Sequence, residues 1–205
     1  MRIPSRVRGR GRSWQRTAGS VLIVVGSVAL LSAGTSAARG AIARDDARAR
    51  WAELDAKRAA AGGRRVATAS RRDAIARGTP VARLVAPRIG LDEIVVEGVG
   101  DDELRAGPGH MTGSALPGES GNAVISAHRD RHFSSLGRLV VGDTILTESD
   151  AGDVAWTVTR IRVVDADARV LRATKTQTLT LTTCWPIRFF GSAPDRLIVE
   201  ALPVS

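Results

Sequence analysis

The chain has a single cysteine, Cys184, among 205 residues. It therefore has no intrachain disulfide, and the fold must be stable from its core alone. Acid is also scarce at the start: residues 1–40 hold seven arginines and no aspartate or glutamate, a charge of +7. Residues 41–80 carry +5 and residues 81–205 carry −3, so the whole excess of +9 lies ahead of residue 81. That excludes a basic nucleic-acid face on the C-terminal part, and with it a nucleic acid as partner. One Cys and three His (His110, His128 and His132) show no finger or metalloprotease spacing, which disfavours a zinc site. Internal repeats and low-complexity binding tracts are missing as well. The length allows one ordinary domain plus appendages.

The basic tail, residues 1–16, precedes an uncharged run from Thr17 to Ala38. As a helix, 22 residues span roughly 33 Å, enough for a bilayer core of about 30 Å. The arginines ahead of it predict a cytoplasmic N-terminus and an exported remainder. A cleaved signal peptide ending near Ser36-Ala37-Ala38 is the competing reading, and it exports the domain equally. Residues 39–60 are rich in Ala and Arg and predict a helix, lying beside the membrane or serving as a stalk. Glu53 and Lys57 form an i,i+4 pair on it. Gly62-Gly63 should end this helix, and 62–80 reads as a polar linker closed by Pro80.

From Val81 the pattern changes to short apolar runs broken by Gly, Pro and Asp. Candidate strands are 81–86, 94–98, 122–127, 143–148, 154–164, 177–184 and 196–201, with one helical turn at 101–105. Many short strands in so small a span predict a mainly β domain over 81–205, closed or nearly closed into a barrel.

In Thr178-Leu179-Thr180-Leu181-Thr182-Thr183-Cys184 the period of two puts both leucines on one face. Thr180, Thr182 and Cys184 share the other. Cys184 thus ends a strand on its polar side, where an accessible thiol is expected; the plain alternative is a buried, inert one. Among proton partners His128 ranks first, because it ends the apolar run Asn122–Ala127 on a rigid element. His110 lies in the loop Gly107-Pro108-Gly109-His110 and His132 in a charged segment, where a solvated or merely hydrogen-bonded ring is the ordinary expectation. Arg196 opens the last strand, which could pair with the one ending in Cys184.

Thr180-Leu181-Thr182-Thr183-Cys184 resembles the TLxTC signature of sortases, the cysteine transpeptidases of bacterial cell surfaces. Gly121–Asp130 resembles the strand leading into that family's catalytic His, and Arg196-Leu197-Ile198-Val199 the strand carrying its Arg. Ala115-Leu116-Pro117-Gly118-Glu119 and Cys184-Trp185-Pro186 are most similar to class D-like sortases and to the type described in Gram-negative bacteria. The resemblance covers about 81–205 and implies an eight-stranded barrel that needs no cofactor or metal. It makes Cys184 the nucleophile, His128 the acid/base and Arg196 the electrostatic clamp. Thr183 becomes a substrate or oxyanion contact, and His110 a residue of the substrate groove. The implied partners are a protein bearing a C-terminal sorting signal and an amine acceptor, either a peptidoglycan precursor or a protein. Ala127 stands where many relatives have Gly. A cysteine hydrolase using the same residues, or a non-catalytic binding barrel, are the alternatives. An L,D-transpeptidase would keep its His and Cys within one short motif, which this chain does not.

Overall fold

A computed structural model describes residues 11–60, 75–168, 170, 173–189 and 191–204. A single helix, α1, runs Gly11–Ala60. The chain falls into two compact units, one ending at Gly40 and one beginning at Ala41, so α1 crosses the boundary. Among the described residues it is the one helix long and apolar enough to cross a bilayer, and its apolar stretch is fully exposed. The expected helix end at Gly62-Gly63, the linker over 62–74 and most of the basic tail lie outside the described residues.

The second unit is a closed eight-stranded barrel in the order β1-β2-β3-β4-β7-β8-β6-β5. Its strands are β1 (Pro80–Ala86), β2 (Leu91–Glu97), β3 (Gly109–His110), β4 (Asn122–Ser126), β5 (Thr144–Ser149), β6 (Val154–Asp165), β7 (Thr178–Trp185) and β8 (Asp195–Pro203). Closure comes from β5 pairing back onto β1. The seven strands predicted from periodicity are all present. The eighth, β3, is two residues long and hidden in the Gly/Pro-rich loop, so no alternation could announce it. The helical turn expected at 101–105 is α2 (Asp101–Ala106).

The two glycines around β3 are there for close approach. A Cβ at Gly109 would run into the Gly98 carbonyl oxygen, and one at Gly107 into that of Ile94. Only bare backbone lets this segment slip between β2 and β4, paired parallel to the first and antiparallel to the second.

Inside the barrel, Leu84, Val95, Ile125, Ile145, Trp156, Leu179, Leu181 and Val199 are fully buried in one cluster. Each aliphatic side chain buried this way contributes about 1.5–3 kcal/mol. Trp156 satisfies its indole N–H on Thr147 Oγ1 at 2.7 Å. Phe133 and Leu136 belong to the same cluster and pin the turn that follows β4.

The helix segment from Ala41 onward packs against the barrel. Ala47 and Trp51 pack with Ile94 and Val96 in a second buried cluster. Alternation along β2 explains how: Val95 faces the barrel interior while Ile94 and Val96 face the helix. Arg58 stacks over the Trp51 ring at 4.4 Å and pairs with Asp150 at 2.7 Å. Arg44 and Arg48 approach Glu93 at 3.9 and 3.8 Å.

Candidate active site

The site is built by strand register. β4 and β7 run parallel, with Asn122 beside Thr178 and so on to Ser126 beside Thr182. The pairing continues past the end of β4, because the Ala127 N–H donates to Thr182 O at 3.2 Å. Thr183 Oγ1 then donates to Ala127 O at 2.7 Å. His128 is the residue after Ala127, just beyond the end of β4, and Cys184 is the residue after Thr183 on β7. On the other side, antiparallel β8 puts Arg196 directly opposite Cys184, and residues directly opposite across an antiparallel pair share a face.

Each is held by its surroundings. His128 O accepts from the N–H groups of Arg131 (3.3 Å) and Phe133 (3.2 Å), and the buried Phe133 ring anchors that turn. Cys184 is a free thiol, partly exposed at the end of β7. The Arg196 Nε–H donates to Ala166 O at 2.6 Å, which fixes the plane of the guanidinium and so the direction of its other donors. The threonine face that ends in Cys184 is more covered than its polarity suggests: Thr180 and Thr182 are buried, and the Thr180 hydroxyl donates to Asn122 Oδ1 at 2.8 Å. Cys184, at the strand end, is where that face opens.

Thr183 is buried next to Cys184, with its hydroxyl bonded to Ala127 O. It therefore ties β7 to the segment that follows β4. His110 lies elsewhere. It pairs with Ile125, three residues or about 10 Å back along β4 from His128. Its Nδ1 is 2.6 Å from Glu97 Oε2, and its Nε2 is 2.9 Å from Ala115 O and 2.8 Å from Ser114 Oγ. Thr112 Oγ1 donates to the other Glu97 oxygen at 2.7 Å. Burial pushes the Glu97 carboxyl up, but the bonds from His110 and Thr112 outweigh it and hold the group below its ordinary range. Glu97, His110 and Ser114 stand in the order of a carboxylate–imidazole–hydroxyl relay. The hydroxyl is not poised as a nucleophile, however: it is buried, accepts the Val124 N–H at 3.2 Å, and shares Nε2 with a carbonyl.

A cavity of about 390 Å³ adjoins this network, lined by Glu97, His110, Ser114, Leu116, Asn122 and Thr174 among others. It sits at the N-terminal ends of β4 and β7, whereas His128 and Cys184 lie at the C-terminal ends. Six residues of β7 separate the two regions, about 20 Å along the strand. The Glu97 network escaped sequence reasoning. Its one signal was a charged residue closing the apolar run Ile94-Val95-Val96, where a buried partner has to be found.

The fold is a closed eight-stranded barrel, and the chain belongs to the sortase family: the sortase domain matches residues 84–204. It is 34% identical over 115 residues to sortase D of Bacillus subtilis (strain 168), covering 55% of this chain and 58% of that protein. Its fold is similar to that of a Clostridium perfringens sortase D5 transpeptidase, with a TM-score of 0.62 at 24% identity over 82% of this chain and 99% of that one. It is also similar to C. perfringens sortase C solved with the C-terminal cell wall sorting motif. There the TM-score is 0.57 at 27% identity, over 64% of this chain and 74% of that one.

Proposed function

We propose that this chain is a membrane-anchored cysteine transpeptidase that cleaves a C-terminal sorting signal and transfers the acyl part to an amine. The observation that supports the reading is the pairing of Cys184 with Arg196, together with the parallel β4–β7 register that leads toward His128 and Cys184. The Cys184 thiolate attacks the peptide carbonyl of the signal, and the tetrahedral intermediate collapses to a thioacyl enzyme. His128 gives a proton to the departing amine, then takes one from the incoming amine. Arg196 donates hydrogen bonds to the developing oxyanion or to the substrate backbone. The amine belongs to a peptidoglycan precursor or a protein. The sortase C solved with a sorting motif supports the substrate class.

The same reading divides the chain into a cytoplasmic tail over 1–16, a span over 17–38, a helix and linker over 39–80 and an extracytoplasmic catalytic domain over 81–205. The exposed apolar run of α1 and the arginines ahead of it support a single pass with the N-terminus inside.

The decisive experiment incubates the full chain with peptides carrying Leu-Pro-containing motifs and measures intact mass. A thioacyl adduct on Cys184, absent in Cys184→Ala and released by hydroxylamine as a hydroxamate, is the expected result. Adducts that form in Cys184→Ala would remove the mechanism. Release to water alone, with no amide product when an amine is supplied, would make the protein a hydrolase.

A further inference from the structure

Arg129 follows His128 directly, and its half-buried side chain reaches the chain around Phe189 and Gly191. Its Nη2 donates to Gly191 O at 2.6 Å and to Phe189 O at 3.1 Å, and its guanidinium lies 5.7 Å from the centre of the Phe189 ring. Its Nη1 is buried without an acceptor among the described residues. Both carbonyls accept from the one Nη2, whose two N–H directions are fixed in the guanidinium plane, whereas a lysine ammonium on its flexible stem holds no such plane. An arginine kept there with one buried donor unsatisfied is held by something other than its own hydrogen-bond balance.

What it holds is the loop joining β7 to β8. The two stems of that loop are paired as Cys184 with Arg196 and Trp185 with Asp195. The loop therefore rises from the nucleophile on one side and the clamp on the other, and it is tied down at the residue after the acid/base. A thioacyl enzyme has two fates, attack by an amine or attack by water, and water is the more abundant. A wall fastened over the thiol slows the entry of water and keeps the acyl chain oriented for the amine.

We infer that Arg129 is a positioning residue that latches the β7–β8 loop over the thioacyl group and thereby sets its partition between aminolysis and hydrolysis. In both routes the carbonyl–sulfur bond breaks. A carbonyl–nitrogen or carbonyl–oxygen bond forms, and the proton lost by the attacking amine or water passes through His128 to the departing thiolate. The inference rests on the transpeptidase reading above.

The test uses the full chain, a Leu-Pro-containing peptide that acylates the wild type, and glycinamide as acceptor, and it measures amide and acid products together. Arg129→Ala should raise the acid-to-amide ratio about tenfold and speed maleimide labelling of Cys184. Arg129→Lys, which keeps the charge but loses the rigid planar Nη2 group, should shift the ratio in the same direction by less. Phe189→Ala leaves both carbonyl bonds available and should hold the ratio within about twofold of wild type. If Arg129→Ala does not fold, Arg129→Lys decides the matter. Amide and acid falling by the same factor, with the ratio unchanged, would overturn the latch while leaving the transpeptidase intact. A wild type that forms no thioacyl enzyme with any peptide would overturn both.

Discussion

At the scale of single residues, position within a sheet turns ordinary side chains into a reacting set. Arginine is this chain's commonest cation, so nothing in residue type singles out Arg196; its place opposite Cys184 does. If it steadies negative charge in the transition state, Arg196→Ala should cost about 3 kcal/mol, roughly a hundredfold in kcat/KM. Arg196→Lys should recover only part of this, because the planar fork is lost. The fall should sit in kcat rather than KM, with the melting temperature nearly unchanged. Near-wild-type kinetics in Arg196→Ala would move the clamp to Arg129 or Arg188. Thr183 makes a contrasting case. Its bond to Ala127 O joins β7 to the segment that follows β4, so Thr183→Val should weaken activity while Thr183→Ser preserves it. Comparing the two variants' kcat with their stability separates alignment from packing.

At the scale of elements, two features rest on contacts that local propensity does not encode. The strand β3 exists because Gly109 has no side chain to meet the Gly98 carbonyl. Gly109→Ala should therefore destabilise the protein by at least about 2 kcal/mol, read as a lower denaturation midpoint with an unchanged slope. The helix segment over Ala41–Ala60 is the second. Trp51 is 5% exposed, and truncating it should cost about 3 kcal/mol, at the low end for a buried tryptophan. Trp51→Ala should also open this segment to limited proteolysis. A helix equally resistant in both proteins would show that the packing on β2 contributes little.

At the scale of the whole molecule, the buried carboxylates set a limit on the acid side. Glu93 and Glu97 both have their ordinary value of 4.5 lowered in the folded state. For each, burial pushes the carboxyl up and is outweighed, mainly by His132 for Glu93 and by His110 and Thr112 for Glu97. Between the folded and unfolded values the unfolded chain binds more protons, so stability rises with pH there. The contribution is fully present above about 4.5 and is lost as pH falls through the lower, folded values. Melting temperatures should therefore drop on acidification below that point, and Glu97→Gln should flatten the drop. An unchanged acid limb in Glu97→Gln would assign it to other groups. For topology, protease added outside the cytoplasmic membrane should reach residues 81–205 while the protein remains in the membrane fraction. A soluble form beginning near Arg39 would point instead to signal cleavage.

The sequence by itself determined seven of the eight barrel strands. Period-two alternation is a local consequence of strand geometry, and Thr178–Cys184 shows it without any tertiary information. The charge asymmetry ahead of Thr17 and the length of the uncharged run are equally local, which is why the candidate span was legible. Only the tertiary structure decided which residues meet. The parallel pairing of β4 with β7 joins segments far apart in the chain, and no periodicity states its register. His110 and His128 are nearly equal candidates as residues; the fold gives His110 a buried carboxylate partner, Glu97, and leaves His128 just past the end of β4. The packing of Trp51 on β2, the loop residues bonded to Arg129 and the Ala115 carbonyl that shares His110 Nε2 with Ser114 are of the same kind. Each depends on atoms brought together across the barrel, and the chain's local preferences carry no record of those distances.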